Sequence, residues 1–449
     1  MSKIMDAVAG VIVCKDEVFV IKRQNNLKAF PGYWSFPGGK VDPDDSKYQP
    51  SHPLFKITEN HLIGALCREV KEELNLSLEH EVKTNNLISI DLLGLAVTPD
   101  FNPMRFSTYF FKITLKEKIP FIVDGYEAES SFWLKSSHLL EQFNKGEVLA
   151  VPPTIKVIKS LGENIHTSQI KDLNFEMPKD LVPCIESMAG VVQVMPLSNT
   201  LPPATRTNAF IIGDTDKQVF LIDPSPKSVE EKDKFLKTLK AWRIDQIFLT
   251  HHHPDHHEYS VEISESLNVP MVMSQFTYDR LKEKQGSHYF KNQTIRIVKE
   301  GDVLTTWQGQ RLFVIEVPGH DKGQLALMPE NKNWFLAGDL FQGVGTVVIG
   351  GEGSSMKEYM ETLRKVIDLK PQVVFPSHGI GLGGTLILEK TLEHRNVRES
   401  QVLDLFLKNK TEEEILQYLY AEISSSLKPY ALCNIRSHLQ KLKEEGKIN

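Results

Sequence analysis

A run of metal-ligating side chains with the pattern His-x-His-x-Asp-His lies near the middle of the chain, directly after apolar residues 247–249. Side chains two residues apart in an extended chain point the same way, so His251 and His253 can bind one cation. Asp255 and His256 follow where the strand should end, and they can face a second cation. Imidazole and carboxylate ligands without thiolate favour a catalytic zinc site over a structural one. Two such ions about 3.5–4 Å apart would activate water for hydrolysis near neutral pH.

Three further candidate ligands each follow a short apolar stretch that predicts a buried strand. They are His320 after residues 314–317, Asp339 after residues 334–337, and His378 after residues 373–375. A histidine-rich loop by itself could be accidental or could bind metal adventitiously. The additional ligands at strand ends argue against that interpretation, because together with the first run they complete two metal-coordination spheres.

Residues from about 190 to 390 resemble a metallo-β-lactamase-fold hydrolase. The resemblance implies the following assignment: His251, His253 and His320 hold one zinc ion, Asp255, His256 and His378 hold the other, and Asp339 bridges the two. It also makes Asp255 a candidate catalytic residue. Ser377 replaces the glycine common before the last histidine, and residues 257–259 replace small residues, which affects the shape of the pocket rather than the ligand set. His252 should point away from its neighbours and either pack or face solvent.

A second candidate metal site lies near the N-terminus, on a segment with helical apolar periodicity. Glu69, Glu72 and Glu73 are spaced i, i+3 and i+4 on one face of this segment. Three carboxylates that close repel one another unless a cation lies between them, and Mg²⁺ prefers oxygen ligands and substrate phosphates. By itself the pattern also fits a solvated acidic helix face. The glycine-rich residues 32–41 upstream favour a site, because glycine lets the backbone approach a ligand closely.

With that loop upstream, residues 68–76 resemble the core of a Nudix box. The resemblance implies three carboxylate ligands of Mg²⁺ or Mn²⁺ with catalytic roles for two of them, an arginine that orients them, and two glycines beside the substrate. These residues are Glu69, Glu72 and Glu73 as ligands, Glu72 and Glu73 as catalytic residues, Arg68 as the orienting residue, and Gly38 and Gly39 as the glycines. Asn75 replaces the family's glycine, a mild change because asparagine tolerates the left-handed conformation at a helix end.

The N-terminal segment also departs from the Nudix pattern by an insertion, residues 46–61. Its length is more typical of a surface loop than of a change in the core. The insertion leaves the position of the family's upstream glutamate open, and Asp45 or Glu59 could replace it. Glu127 is a further candidate ligand.

The last part of the chain predicts helices over residues 397–407, 412–420 and 430–445. In the last helix an apolar stripe opposes a basic one that includes Arg436. One interpretation is a solvated helix that closes the hydrolase domain, and the other is a winged-helix-like module whose basic stripe, with Arg436, contacts phosphates. The tail is similar to that of the lactamase-beta-2-like subfamily, whose members are associated with single-stranded RNA cleavage. This similarity rests on residues 394–399 and 438–447, supported by residues 345–349 and by residues 207–209, which include the orientation candidate Asn208.

The length of 449 residues predicts two or three domains. We expect a multidomain α/β protein, arranged as a Nudix α/β/α sandwich over residues 1–165, a linker over 166–189, a metallo-β-lactamase αββα sandwich over 190–392, and a small helical winged-helix-like module over 393–449. The net charge of −6 gives no global attraction to nucleic acid or membrane, so any such binding must be local. Four widely spaced cysteines, the absence of a secretory signal and the absence of a bilayer-length apolar run predict a cytoplasmic protein without a membrane partner. The sequence does not indicate an oligomeric state.

The favoured function is a two-headed hydrolase. The zinc head would cleave a phosphodiester in single-stranded RNA, and the Nudix head would hydrolyse a nucleotide diphosphate or a modified RNA end. The alternative is a glyoxalase II-like acyl-thioester hydrolase whose Nudix head acts on coenzyme A or a nucleotide diphosphate, because fold alone does not select the substrate. In a third class, the Nudix head is a binding module that no longer catalyses.

Overall fold

The computed structural model describes residues 4–100, 102, 104–123, 125–171, 173–174 and 178–449. The chain forms two compact units, one of Met1–Pro178 with Glu186–Ala189 and one of Lys179–Ile185 with Gly190–Asn449. Among the described residues, no helix combines the length and the apolar character that crossing a bilayer would require.

The first unit is an α/β/α sandwich. Its strands are β1 (Met5–Cys14), β2 (Glu17–Arg23), β3 (Trp34–Ser35), β4 (Leu87–Val97), β5 (Phe106–Leu115) and β6 (Ala128–Lys135). Its helices are α1 (Asn60–Leu74), α2 (Leu78–Lys83), α3 (Ser136–Asn144) and α4 (Pro152–Glu163). The strands form one sheet in the order β3-β2-β1-β5-β4, with β6 paired to β2 and with β1 parallel to β5.

Alternation along β1 explains the layers of this sandwich. Val8 and Ile12 belong to the core that also contains the apolar face of α1, whereas Val11 and Val13 belong to the core that contains residues of α3 and α4. Because successive side chains of a strand point to opposite faces of the sheet, a strand that is apolar throughout must be covered on both sides.

The insertion at residues 46–61 is not only a surface loop, and the expectation was wrong in this respect. It contains the 3-10 helix Pro53–Phe55, and Phe55 is completely buried in the core beside α1. Tyr48 packs against the same core, and its hydroxyl donates a hydrogen bond to Glu79 at 2.9 Å. The insertion therefore anchors itself by apolar burial, which loop length by itself does not reveal.

The second unit contains two sheets between layers of helices. The strands from residue 184 onward are β7 (Cys184–Met188), β8 (Val191–Val194), β9 (Ala209–Ile212), β10 (Phe220–Ile222), β11 (Gln246–Phe248), β12 (Met271–Met273), β13 (Ile295–Ile297), β14 (Val303–Trp307), β15 (Gln310–Glu316), β16 (Leu325–Pro329), β17 (Phe335–Leu336), β18 (Val373–Phe375) and β19 (Leu382–Gly383). The helices are α5 (Val229–Leu239), α6 (Pro254–His257), α7 (Ser260–Leu267), α8 (Gln275–Gln285), α9 (Met356–Leu369), α10 (Leu386–Leu407), α11 (Glu412–Leu419) and α12 (Lys428–Glu444).

Strand direction brings several loops of this unit to one edge. One sheet has the order β13-β12-β11-β10-β9-β8-β7, and the other has the order β14-β15-β16-β17-β18-β19. β16 is antiparallel to both β15 and β17, and β17 is parallel to β18. Hence β15, β17 and β18 run in the same direction and end at the same edge. The two sheets face each other, with the rings of Phe210 and Phe375 5.9 Å apart between them.

The C-terminal part is helical as expected, but its first helix begins earlier than the pattern indicated. α10 starts at Leu386, so the expected domain boundary between residues 392 and 393 falls inside it. The helix is continuous because Leu388 is buried in the core of the second sheet, while Val402 and Leu405 are buried against α11 and α12. Within residues 384–449, all of which the structure describes, there are helices and no strand.

Candidate functional site

The structure brings the seven predicted zinc ligands together. The imidazoles of His251, His253 and His320 form one group, and Asp255, His256 and His378 form another; the donor atoms within each group lie within 4.8 Å of one another. His251 Nε2 is 3.0 Å from His253 Nδ1, which is 2.8 Å from His320 Nε2. His320 and His378 follow β15 and β18, which end at the same edge of one sheet, and the other four ligands follow β11 of the facing sheet.

Asp339, just after β17, lies between the two groups. Its Oδ1 is 3.5 Å from His256 Nε2 and 3.5 Å from His378 Nε2, and its Oδ2 is 3.6 Å from His320 Nε2. One carboxylate therefore faces ligands of both groups, which is the placement that a bridging ligand requires.

The donor set fits bound cations. Among the described atoms, His256 Nε2 and Asp339 Oδ1 are buried without a hydrogen-bond partner. A buried polar atom left in that state costs about 1–3 kcal/mol, and a cation ligated by both atoms removes the cost. Imidazole and carboxylate donors without a cysteine are the chemistry that zinc accepts at catalytic sites.

The electrostatics of the ligands also suit a metal site. Burial and the neighbouring imidazoles lower the pKa of His251 and of His253 well below the usual value, which keeps both rings neutral and able to ligate. Burial would raise the pKa of Asp339, but His256 and His378 hold that pKa well below the usual value. Burial would lower the pKa of His256, but the carboxylates of Asp339, Asp255 and Asp223 raise it well above the usual value, so a cation ligated by this ring would have to compete with a proton.

Asp223, at the end of β10, orients the His256 ring and is a residue that the sequence analysis missed. Its Oδ2 is 2.9 Å from His256 Nδ1 and accepts a hydrogen bond from Thr250 Oγ1 at 2.6 Å, while its Oδ1 accepts one from the Thr250 backbone N–H at 2.7 Å. This pairing leaves His256 Nε2 for a metal. The detectable signal was an acidic residue directly after the apolar residues 220–222, the same strand-end placement that identified the other ligands.

Backbone carbonyls orient two further imidazoles in the same manner. His320 Nδ1 lies 2.9 Å from the carbonyl oxygen of Val348, and His378 Nδ1 lies 2.9 Å from that of Arg206. In both rings the other nitrogen, Nε2, faces Asp339. A ligating imidazole held by its second nitrogen has a defined tautomer and orientation.

His252 packs rather than facing solvent. Its side chain is buried and contacts the buried carboxylate of Asp321, whose other oxygen accepts a hydrogen bond from the Gly323 backbone at 2.7 Å. Asp321 is thus a second acidic neighbour of the cluster that the pattern did not single out.

The two remaining orientation candidates of this unit have different surroundings. The side-chain amide of Asn208 is buried and donates to the carbonyls of Pro376 and Gly379, both at 2.8 Å, so it shapes the loop that carries His378. Arg436 is exposed on α12 and pairs with Glu412 at 2.7 Å. The structure does not include Arg436 in the group of metal-ligating side chains.

The Nudix-like carboxylates of the first unit also assemble around one arginine. Arg68 donates to Asp45 at 2.9 and 3.0 Å, to Glu69 at 2.8 Å and to Glu72 at 3.0 Å. Of the two candidates for the upstream acid, Asp45 contacts Arg68, whereas Glu59 is exposed and paired with His61. The Arg68 guanidinium holds the pKa of Asp45 below its usual value although burial opposes this.

Glu73 is the deepest carboxylate of this group. Burial, followed by the carboxyl of Glu127 beside it, raises the pKa of Glu73 to about 9. Burial also raises the pKa of Glu69. Glu73 Oε2 accepts a hydrogen bond from the Gly38 backbone at 3.1 Å, whereas its Oε1 is buried without a partner among the described atoms. A divalent cation would relieve both the repulsion and the unpaired oxygen, so the site fits Mg²⁺ or Mn²⁺.

Glycine is required where the loop meets these carboxylates. A Cβ on Gly39 would lie 2.4 Å from Glu69 Oε1, and a Cβ on Gly38, whose φ is +148°, would lie 2.1 Å from the Val8 carbonyl oxygen. The helix ends at Asn75, whose φ of 54° confirms the expected left-handed conformation.

A cavity of about 500 Å³ opens beside the carboxylates of this unit. Its aromatic lining includes Phe30, Trp34 and Phe106, and its charged lining includes Arg23 and Lys40. Such a cavity has the size and composition of a small-molecule site, with apolar walls and a few polar groups.

Comparisons with known proteins match this division of the chain. Residues 4–150 match the NUDIX domain, residues 202–378 the metallo-beta-lactamase superfamily, and residues 411–449 the beta-lactamase associated winged helix domain. A beta-lactamase-like protein 2 homolog of Drosophila melanogaster is 27% identical over 279 residues, which cover 60% of this chain and 93% of that protein.

Two further similarities concern part of the chain. An atrochrysone carboxyl ACP thioesterase of Aspergillus fumigatus is 26% identical over 205 residues, covering 44% of this chain and 58% of that protein. The crystal structure of a beta-lactamase domain protein from Burkholderia ambifaria superposes with a TM-score of 0.50 at 19% identity, covering 60% of this chain and 90% of that one. The structural likeness concerns the fold alone.

Proposed function

We infer the function of this chain from the three domains that it carries, namely a Nudix domain, a metallo-β-lactamase superfamily domain and a β-lactamase-associated winged helix domain. Two of these are hydrolase domains, and the chain is a metal-dependent hydrolase. The finer assignments, which are the metals, the substrates and the roles of individual residues, are proposals.

We propose that the metallo-β-lactamase domain is a dinuclear zinc phosphodiesterase that cleaves single-stranded RNA. The observation that carries this proposal is the position of Asp339 against both groups of ligands. When bound, two zinc ions supply Lewis acidity, which activates water and polarises a phosphoryl group.

In this proposal the residues of the chain hold and aim the reacting groups. Asp255 has the more exposed of the two cluster carboxylates, at 17% against 7% for Asp339, so it is the one placed to take a proton from attacking water. Its Oδ2 lies 3.6 Å from His378 Nε2. The neutral rings of His251 and His253 need no deprotonation to act as ligands.

The choice of RNA is supported by the winged helix domain and by the similarity of residues 394–399 and 438–447 to RNA-cleaving proteins of the lactamase-beta-2-like subfamily. With a net charge of −6, contacts to phosphates must be local, and Arg436 is one candidate. We also propose a cytoplasmic location, supported by the four cysteines, which form no disulfide bond among the described residues.

The test is cleavage of an end-labelled single-stranded RNA by the zinc-loaded full chain, resolved on a denaturing gel. Asp255→Ala should abolish cleavage, and Glu72→Gln, which alters only the other head, should cleave as the wild type does. Cleavage that survives in Asp255→Ala, or a zinc-loaded wild type that cleaves no RNA, would overturn the proposal.

For the Nudix domain we propose hydrolysis of a nucleoside diphosphate linkage with Mg²⁺ or Mn²⁺. The aromatic lining of the cavity suits a flat base, and Arg23 and Lys40 suit phosphates. Arg68 aligns Glu69 and Glu72, and Glu73, whose pKa is raised to about 9, would have to lose its proton in order to ligate a cation. Phosphate or monophosphate release from a panel of nucleotides and coenzyme A, compared between wild type and Glu72→Gln, tests this. A head that only binds would show saturable binding and no release.

A second candidate for the metallo-β-lactamase domain is acyl-thioester hydrolysis. The similarity to a protein named as an ACP thioesterase favours it. Release of free thiol from an acyl-coenzyme A panel would detect this activity, and its loss in Asp255→Ala together with the absence of RNA cleavage would establish it in place of the ribonuclease.

A further inference from the structure

The segment Val347–Ile349 contacts the predicted metal ligand His320 and also the C-terminal helices α10 and α12. The Val348 carbonyl oxygen lies 2.9 Å from His320 Nδ1, so this carbonyl sets the tautomer and the direction of the ring. The ring's other nitrogen then faces Asp339 and the first group of ligands. The direction of His320 is therefore only as well defined as the position of this carbonyl.

Side chains of the C-terminal helices hold the residues on both sides of Val348. The Arg395 guanidinium of α10 donates to the Val347 carbonyl at 2.5 Å. From α12, Asn434 Oδ1 accepts a hydrogen bond from the Ile349 backbone N–H at 2.8 Å, and Ser437 Oγ donates to the Ile349 carbonyl at 2.8 Å. Asn434 and Ser437 are three residues apart and so lie on one face of the helix.

The side chains of Val347 and Ile349 lie in the apolar core of the second sheet, but the backbone of this segment lacks the support of regular secondary structure. Residues 346–350 belong to no strand or helix, so a regular hydrogen-bond ladder does not support them. Val347 and Ile349 are buried, where unpaired backbone groups would be costly. α12 also packs directly on Gly350, where an added Cβ would lie 2.4 Å from the Cβ of Cys433.

Burial of the Arg395 guanidinium costs free energy that an apolar side chain at this position would not cost. Arg395 is 1% exposed, and no ion pair with it occurs among the described residues. Its terminal nitrogens donate to the Val347 carbonyl and to Asn434 Oδ1 at 3.4 Å, and the guanidinium lies 5.5 Å from the ring centre of Tyr359, whereas its buried Nε has no hydrogen-bond partner among the described atoms. A buried charge without an acidic partner is expensive, and here the guanidinium donates to the segment that orients His320 and to Asn434, which itself holds that segment.

We propose that Arg395, Asn434 and Ser437 are positioning residues for the metal ligand His320, so that the C-terminal helices complete the metal site. The proposal rests on the metal site of the proposed function. The winged helix domain then has a role inside the hydrolase in addition to any contact with a substrate. Removing one of these side chains should make the position of the Val348 carbonyl and the orientation of the His320 ring less well defined. The affinity for the cation held by His251, His253 and His320 should then fall.

The experiment measures zinc affinity of the full-length chain by competition with a chromophoric chelator. Asn434→Leu removes the acceptor for Ile349, and Asn434→Asp retains an acceptor oxygen at the same place. His438→Gln is the matched control, because His438 is equally buried on α12 but contacts Glu399 of α10 rather than residues 347–349. Urea unfolding of each metal-free variant records any general loss of stability.

We expect Asn434→Leu to lower the affinity for one of the two zinc ions by about 10–100-fold, which is the usual effect of removing a residue that orients a ligating histidine. Asn434→Asp should retain most of the wild-type affinity. His438→Gln should lower stability and leave both zinc affinities unchanged. If Asn434→Leu does not fold, the milder Ser437→Ala and Arg395→Met provide the same comparison.

Two outcomes would overturn the inference while leaving the proposed function intact. One is a set of variants that bind two zinc ions as tightly as the wild type. The other is a loss of affinity in His438→Gln equal to that in Asn434→Leu, which would mean that general destabilisation explains both. A wild type that binds no zinc would instead refute the proposed function itself.

Discussion

Asp223→Asn should weaken zinc binding by reversing the tautomer of His256. In the wild type the Asp223 carboxylate accepts a hydrogen bond from His256 Nδ1, so Nε2, which faces Asp339, is the nitrogen that can ligate a cation. Asparagine has nearly the same shape but presents an N–H donor to one of its partners. If that donor faces Nδ1, the ring carries its proton on Nε2 instead and can no longer ligate.

The magnitude follows from the contacts of Asp223, which is 1% exposed. It accepts from the backbone and hydroxyl of Thr250 as well as from His256, and a hydrogen bond to a charged group contributes about 1.5–3 kcal/mol. Asparagine retains one acceptor, so the metal-free variant should lose about 2–4 kcal/mol of unfolding free energy. The affinity for the zinc ion held by His256 should fall by about 10–100-fold, or about 1.4–2.7 kcal/mol.

The assay combines urea unfolding of the metal-free chain with chelator competition for zinc. Asp321→Asn is the matched control, because Asp321 is an equally buried partner of a histidine, His252, that is not a predicted ligand. The control should lose stability with a much smaller effect on zinc. Equal zinc affinity in Asp223→Asn and the wild type would refute the tautomer argument, as would equal losses in the two variants.

Three further predictions concern other parts of the chain. Asp45→Asn should lower kcat/KM of the Nudix head by at least about tenfold because it frees Arg68, whereas Glu59→Gln should leave kcat/KM unchanged in the same phosphate-release assay. Gly39→Ala should abolish Mg²⁺ binding measured by calorimetry, since the new methyl group would overlap a ligand carboxylate, and undiminished binding would contradict the assigned geometry. Glu399→Gln should cost about 1–3 kcal/mol at pH 7 by removing a buried ion pair. Burial opposes ionisation of Glu399, but its imidazole and ammonium neighbours lower its pKa, so the wild type holds this stabilisation above the usual value of 4.5 and loses it as the pH falls. Denaturation from pH 7 to pH 3 should thus show the two proteins converging, and a constant difference would contradict this.

The sequence by itself indicated most of what depends on neighbours in the chain. The seven zinc-ligand candidates were recognisable because each follows a short apolar strand, and the structure places them together; their assignment as ligands stays a prediction. The carboxylates of α1 were recognisable because a helix repeats every 3.6 residues, and the three domains are confirmed by the family matches.

Tertiary structure decided which distant groups are partners. Asp223 is 33 residues from His256, and Arg68 is 23 residues from Asp45, with Glu59 nearer in sequence. Local periodicity does not distinguish such candidates, because the pairing depends on how strands and loops close in space. The same reason applies to Phe55, whose burial in the core anchors the insertion at residues 46–61.

The role of the C-terminal helices is the clearest case. Arg395 and Asn434 are 48 and 85 residues from the backbone groups that they hold, and nothing in the helical pattern of α10 and α12 points to the segment Val347–Ile349. A helix's apolar period determines which of its faces is buried. The residues that the buried face meets are determined only by the packing of the whole second unit.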